Sequence, residues 1–366
     1  MRVLIIVRPW SFHGGVESAT AGLLRALVEH GHDVHVLSPG AQQEIAGVTV
    51  HRLRLPPLPP AARLVALATL APAVIGRRTW DVVQAHERVL GAHVYRAGEG
   101  CHRAYLDALG PPRGRRLYHR LVLGLERRVL RATPRVIAIA RRGKDEIERL
   151  YRVPRERVAV VYNGVDLERF HPRLREQHRA PAREEAGVAA AAWALLFVGS
   201  GFERKGLAMT LAAFAALDDP GSRLIVIGKG DTQRYIAMAE RLDVAKRVCW
   251  LGAREDVERW YAAADALVLP ARYEPFGNVH LEALASGLPV VTSTRAGGAE
   301  LVHDGANGAV RDPDDVAGIA DALRQLRARP SGEVVDLCRR SAEPFTHARQ
   351  VAALAGIWRG LVARKA

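Results

Sequence analysis

Cysteine is scarce in this chain. Cys101, Cys249 and Cys338 are its three cysteines, far apart and without metal-type spacing, so neither a disulfide framework nor a structural zinc site is implied, and a reducing cytoplasm suits the chain. Aromatic residues are only 6% of the total, and none are interleaved with basic clusters as a nucleic-acid surface would require. Long apolar runs are missing too. The longest, near Leu64–Ile75 and Ala186–Val198, fall short of a membrane-spanning helix. The run Val3–Val7 after Met1-Arg2 is too short for a signal segment and reads as a first strand. The single Asp-X-Asp, Asp312-Pro313-Asp314, opens a helix and reads as a cap rather than a metal-ligand set. Acidic residues are outnumbered, 39 against 53 basic, for a net charge of +14. Such an excess points to an anionic partner, whether nucleic acid, membrane surface or phosphorylated substrate, although a genome that favours Arg would account for a share of it.

What the chain does have is length, apolar content and alternation. With 366 residues, 49% of them hydrophobic, it can build two domains with separate cores. Strands are expected at Met1–Val7, Asp33–Leu37, Val48–Leu53, Val82–Ala85, Ala92–Arg96 and Val136–Ala140. Helical patterns intervene, the first running from Val16 to His30 and closed by Gly31, so the first half reads as doubly wound α/β. Pro56 to Pro60 is a stiff connector, and Arg173–Glu185 reads as a polar linker. The second half restarts the alternation with strands at Ala194–Val198, Leu224–Ile227, Val248–Leu251, Ala266–Leu269 and Val290–Thr292, and Ala348–Val362 is helical by pattern.

Three strand–loop–helix junctions can carry chemistry. After the first strand, Gly14-Gly15 would leave unpaired N–H groups where a phosphate can approach, although glycine often serves only the turn. The strand Ala194–Val198 leads into Gly199-Ser200-Gly201-Phe202-Glu203-Arg204-Lys205-Gly206, a glycine-bracketed loop that places two adjacent cations at a strand's carboxyl end. After Ala266–Leu269 come Tyr273-Glu274-Pro275-Phe276-Gly277-Asn278 and a helical pattern containing Glu282. There the N–H groups of Phe276, Gly277 and Asn278 would open a helix beside Glu274. A fourth feature is a helix between Arg113 and Arg131. On a wheel, Leu117, Leu121, Leu125 and Val129 form one row. Arg116, Arg120, Arg127 and Arg131 form another on roughly the opposite face, bordered by Leu123 and Leu130. That is the pattern of an interfacial helix on anionic headgroups, or of an ordinary amphipathic helix with a basic solvated side.

The pair Glu274 and Glu282, with seven residues between them and the wording Glu-Pro-Phe-Gly, resembles the donor-binding signature of retaining glycosyltransferases of family 4. The resemblance covers nearly the whole chain, including Asn163-Gly164-Val165-Asp166 where members leave their first domain. It implies the GT-B fold: two Rossmann-like, doubly wound domains facing across a cleft. The acceptor domain would span 1–170, the nucleotide-sugar domain 171–345, and a helix at 346–366 would cross back to the first. It also implies that Arg204 and Lys205 hold the donor diphosphate, that Glu274 faces the sugar and that Glu282 accepts from the ribose. Phe276, Gly277, Asn278, Gly14 and Gly15 would complete the donor site. Glu300 follows Gly297-Gly298 with one residue fewer than the family's spacing, so a helix-start role is its alternative. The segment Tyr95-Arg96-Ala97-Gly98-Glu99-Gly100-Cys101 and the loop 198–206 are similar to the lipopolysaccharide core glucosyltransferase I subgroup. That likeness implies transfer of a hexose, glucose from UDP-glucose, to a lipopolysaccharide core or related glycolipid, without metal or other cofactor. Glu99 would lie on the acceptor side. The protein would be cytoplasmic and peripheral on the inner face of the inner membrane, with no nucleic-acid partner. A UDP-sugar 2-epimerase of the same fold is the nearest alternative, and a basic nucleic-acid-binding protein a more distant one.

Overall fold

The computed structural model describes residues 1–8, 15–40, 42–110, 116–329 and 331–363. They form two compact units, Met1–Gly164 with His347–Ala366, and Val165–Thr346. The Gly14 of the first glycine turn lies outside the described residues, and Gly15 is the first residue of the helix Gly15–Glu29. Among the described residues no helix is long and apolar enough to cross a membrane.

The first unit is built on seven parallel strands: β1 (Arg2–Ile6), β2 (Asp33–Ser38), β3 (Val48–Arg52), β4 (Val82–Ala85), β5 (Val94–Ala97), β6 (Arg135–Ala138) and β7 (Val158–Val160). Their order in the sheet is β3-β2-β1-β4-β5-β6-β7, so direction reverses between β1 and β4. Parallel strands are covered on both faces, which explains why Val3–Ile6 and Val82–Val83 are uninterrupted apolar runs and fully buried. The helix Gly15–Glu29 lays Leu23, Leu24 and Leu27 into the same core and stops at Gly31, whose φ of 74° needs no Cβ. The terminal helix His347–Val362 completes that core with Val351, Leu354 and Trp358.

The second unit carries six parallel strands: β8 (Trp193–Val198), β9 (Ser222–Ile227), β10 (Val248–Gly252), β11 (Ala266–Leu269), β12 (Val290–Ser293) and β13 (Gly308–Arg311). The order is β10-β9-β8-β11-β12-β13, with the reversal between β8 and β11. Ligands of open α/β sheets bind outside the carboxyl ends of strands at such a reversal.

Three sequence expectations are corrected. The stretch read as a linker, Arg173–Glu185, is mostly helix, Leu174–Glu185. Its arginines point inward: Arg179 and Arg183 clamp Asp265 at 2.6 and 2.8 Å, and Arg183 also donates to the carbonyls of Ala263 and Ala190. Arginine used as internal mortar looks like solvated charge in a sequence. The cap near the carboxyl end is Asp315, which accepts from the Gly318 N–H at 2.9 Å, while Asp312 accepts from the Asp314 N–H. On the helix Arg116–Ala132, the buried side is His119, Val122, Glu126, Val129 and Leu130. Leu117 is 70% exposed and Leu121 is exposed too, so these two leucines stand beside the arginines instead of opposite them. The wheel went wrong because a polar pair, His119 and Glu126, takes core positions.

Candidate active site

The reversal in the second unit brings the two motif loops together. After β8 the chain turns into a single helical turn, Phe202–Lys205, which ends at Gly206. Gly206 has φ 81°, and a Cβ there would run into the carbonyl oxygen of Pro270 in the loop after β11. Glycine is therefore what lets the two loops touch. The Arg272 N–H donates to the Arg204 carbonyl at 2.9 Å, and the Arg204 guanidinium donates to the Tyr273 carbonyl at 3.0 Å.

Glu274 sits at the centre of this junction and is 7% exposed. One of its oxygens, Oε2, takes Lys205 Nζ at 2.6 Å and Arg204 Nη1 at 2.8 Å. Burial alone would raise the Glu274 pKa, but the Lys205 and Arg204 charges and their hydrogen bonds outweigh it and bring it down to about 2. Its backbone is stitched to the loop after β12. The Glu274 N–H donates to the Arg295 carbonyl at 3.2 Å, and its own carbonyl accepts from the Gly297 N–H at 2.8 Å.

The helix Asn278–Ala285 starts at Gly277, whose φ is 81°. Phe276 is buried in the core, so its side chain is structural. Glu282, one turn into the helix, accepts from the Tyr261 hydroxyl at 2.8 Å. Burial raises its pKa in spite of that bond. Glu300 lies in the short 3-10 turn Gly297–Leu301 after β12.

One residue of this site escaped the sequence reading. His280 is fully buried, with Nδ1 2.8 Å from the Gly277 carbonyl and Nε2 2.7 Å from Thr292 Oγ1. Burial lowers its pKa to about 4, so the ring is neutral; Nδ1–H donates to the Gly277 carbonyl, which leaves Nε2 an acceptor beside the Thr292 hydroxyl, for whose single proton the Leu269 carbonyl at 3.1 Å competes. The ring also rests on Gly298, where a Cβ would come within 2.6 Å of the Phe276 carbonyl oxygen and 2.7 Å of the imidazole. His280 thus ties the Glu274 loop to β12. A histidine inside an apolar helical face was its signal.

The first unit collects a second charged cluster at its own reversal. Arg8 follows β1, Glu87 and Arg88 follow β4, and Glu99 follows β5. Arg8 binds Glu87 at 2.8 Å and Glu99 at 2.6 Å. Arg88 binds Glu99 at 3.3 Å and the buried Glu126 at 2.9 Å, and Glu126 also accepts from the Tyr151 hydroxyl and the His102 N–H. Burial works to raise the Glu99 pKa, yet the two guanidinium groups pull it below the usual carboxylate range. Glu87, more deeply placed, is left above it by burial. Arg8, Glu87 and Arg88 were not picked out from the sequence, although Gln84-Ala85-His86-Glu87-Arg88 puts four polar side chains at a strand's end.

Residues 13–169 match the family described as Glycosyltransferase Family 4, and residues 193–329 match Glycosyl transferases group 1. Between them the two matches take in most of the chain. The chain belongs to glycosyltransferase family 4. This family 4 enzyme is 28% identical over 330 residues to an uncharacterized glycosyltransferase of Methanocaldococcus jannaschii, covering 83% of each chain. It is 33% identical to the lipopolysaccharide glucosyltransferase WaaG of Escherichia coli K12 over 45% of each chain. It is also 33% identical to a glycogen synthase of Mycobacterium tuberculosis, over 58% of this chain and 50% of that protein. The aligned stretches thus take in about half the length of these last two relatives. Among solved structures, WaaG superposes with a TM-score of 0.84 at 23% identity, covering 98% of this chain and 100% of that one. Anabaena Alr3699/HepE, solved in complex with UDP-glucose, superposes at 0.78 and 20% identity over 98% of this chain and 100% of that one. The fold is GT-B, and the protein is a glycosyltransferase.

Proposed function

We propose that the enzyme transfers a hexose, glucose from UDP-glucose, with retention of configuration to a glycolipid of the lipopolysaccharide-core class. The observation that carries this reading is Glu274 held on Lys205 and Arg204 at the sheet reversal of the second unit. As a sugar leaves its nucleoside diphosphate, negative charge grows on the bridging oxygen, and a pre-placed ammonium and guanidinium stabilise it without reorganising. In this reading Glu274 keeps both cations in place until the donor arrives and then contacts the sugar. Glu282 accepts from the ribose hydroxyls in exchange for the Tyr261 hydroxyl, while Gly277 and Asn278 line the donor at the helix start. Two cations supply the charge a divalent metal would otherwise bring, so activity is expected to survive exhaustive chelation. UDP-glucose as donor is supported by the HepE complex, and the glycolipid acceptor by the likeness to WaaG.

On the acceptor side the reading assigns Glu99. Its carboxylate accepts from acceptor hydroxyls, and the departing phosphate oxygen takes the acceptor proton. Access to a lipid-linked acceptor is supported by the helix Arg116–Ala132, which exposes Arg116, Arg120, Arg127 and Arg131 together with Leu117 and Leu121. The helix Pro60–Ile75 packs against it and exposes Val65 and Leu70. Four of the five exposed large hydrophobic residues among those described are therefore on this helix pair, where apolar side chains beside arginines suit an anionic membrane surface. In this reading the enzyme works peripherally on the inner face of the inner membrane. The test is a nucleotide-sugar panel read by thermal shift, followed by transfer from the stabilising donor to purified lipopolysaccharide core, detected by mass spectrometry. Stabilisation by no nucleotide sugar would overturn the donor assignment, and transfer only to free sugars the acceptor assignment.

A further inference from the structure

Behind the charged cluster of the first unit runs a chain of hydrogen bonds that the reading above does not use. Trp358, on the terminal helix His347–Val362, is fully buried, and its Nε1 lies 3.2 Å from Gln84 Oε1. An indole N–H can only donate, so the buried Gln84 amide must turn its oxygen toward Trp358. Its NH2 is thereby fixed toward His86, whose Nε2 is 3.0 Å away. An amide NH2 also can only donate, so Nε2 must present its lone pair and the imidazole proton must sit on Nδ1. Burial, with Arg96 and Arg8 nearby, pushes the His86 pKa well below the ordinary range and keeps the ring uncharged at neutral pH. The His86 N–H donates to the Ile6 carbonyl at 2.8 Å, which pins the residue to the end of β1, at the strand-order reversal. Nδ1 itself has no hydrogen-bond partner among the described residues.

We propose that Trp358, Gln84 and His86 form a relay that keeps the His86 proton on Nδ1 and offers that N–H to an oxygen of the hydroxyl-bearing acceptor. The terminal helix then acts as a positioning element for the acceptor site, and Gln84 and Trp358 are positioning residues. The inference rests on the assignment of the acceptor to the first unit. A tautomer reversal would put a lone pair where the N–H stood, and an acceptor hydroxyl whose own proton is already donated elsewhere would then lose its hydrogen bond and face a second acceptor.

The test uses the full chain labelled with 15N-histidine. Long-range proton–nitrogen correlations at pH 7.5 report the tautomer of each ring, and His86 is assigned by the signals missing in His86→Asn. Wild type is expected to show the Nδ1–H pattern for His86. Gln84→Glu, which keeps shape but can only accept, is expected to switch it to Nε2–H. Trp358→Phe frees the amide to turn over and should give a mixture. In transfer assays Gln84→Glu should lower kcat/KM for the acceptor by about 30- to 100-fold, with KM for the donor changed less than about twofold. An Nε2–H pattern in wild type, or the wild-type pattern retained in Gln84→Glu, overturns the relay whether or not any acceptor is known. A switched tautomer with unchanged acceptor kinetics overturns the His86–acceptor contact. Should Gln84→Glu not fold, the Trp358→Phe spectrum decides: an unmixed Nδ1–H pattern there overturns the relay.

Discussion

Lys205→Met tests the electrostatic centre of the second unit. The substitution keeps the aliphatic stem, which is nearly as buried as Glu274 itself, and removes the ammonium 2.6 Å from Glu274 Oε2. Glu274 would then rest on Arg204 alone. Breaking a buried pair by removing one partner typically costs about 3–5 kcal/mol; with Arg204 still at 2.8 Å, a loss of about 2–3 kcal/mol is expected. The sign follows from the depressed pKa. A carboxylate at about 2 in the folded state and about 4.3 unfolded contributes about 3 kcal/mol above the unfolded value, lost as pH falls through 4 toward 2. In Lys205→Met that acid-sensitive contribution shrinks, so the gap from wild type should be largest at pH 7 and narrow toward pH 3. The assay is urea unfolding of both proteins between pH 3 and 8, followed by the double variant with Glu274→Gln, which should recover part of the loss because no buried charge is then left under-paired. Turnover should fall on the order of a hundredfold in the single variant. A Lys205→Met protein as stable as wild type at pH 7, with wild-type turnover, would refute both the pairing energetics and the diphosphate role.

Glu99→Gln keeps the shape of the side chain on Arg8 and Arg88 and removes its charge; donor affinity by calorimetry should stay near normal while transfer falls at least tenfold, and full transfer would remove Glu99 from the acceptor site. The triple variant Arg116→Glu, Arg120→Glu, Arg127→Glu should lose sedimentation with anionic liposomes, each arginine contributing about 1 kcal/mol near the surface, and unchanged sedimentation would return the helix to an ordinary solvated face. His280 is held neutral with a pKa of about 4, so its stabilising contribution is present above the unfolded value of about 6.5 and is lost as pH falls from there through 4. His280→Gln should therefore show a shallower loss of stability than wild type between pH 6.5 and 4, and parallel curves would mean that the ring titrates normally.

The sequence showed what lies on strands and at their ends more clearly than what lies beneath them. Ala266–Leu269 and Val82–Ala85 coincide with β11 and β4 to the residue, because strands buried on both faces leave an apolar run closed by a polar residue or a proline. Arg204, Lys205 and Glu274 could be singled out because each lies just after such a run, at the strand ends where ligands of open α/β sheets bind. That all three meet at one carboxylate oxygen was not readable, since it depends on strand order and 70 residues separate Arg204 from Glu274. β13 escaped because Gly308–Arg311 has only two strongly apolar residues between a glycine and an arginine. The inward arginines of Leu174–Glu185 and the polar core of Arg116–Ala132 escaped for the converse reason: buried charge satisfied by distant partners has no local signature.

The two clusters differ in their charge balance, and that difference argues for which unit takes which substrate. At the reversal of the second sheet two cations face one carboxylate, a surplus of one positive charge in a largely buried junction, which a diphosphate would neutralise. At the reversal of the first sheet Arg8 and Arg88 face Glu87, Glu99 and Glu126, so carboxylates outnumber guanidinium groups by one. A diphosphate there would have to strip arginines from buried carboxylates and leave those uncompensated, at several kcal/mol each. A hydroxyl-bearing sugar asks for no such exchange. It can donate to Glu99, whose side chain is about two-fifths exposed, and accept from His86 Nδ1–H. The surplus of +14 in the chain as a whole is then not the charge of the acceptor cluster. Part of it lies on outward arginines such as Arg116, Arg120 and Arg127, where salt screens it. Raised salt should accordingly weaken liposome sedimentation well before it weakens transfer to a detergent-solubilised acceptor, and equal sensitivity of the two would place the anionic partner of those arginines inside the reaction instead of on the membrane.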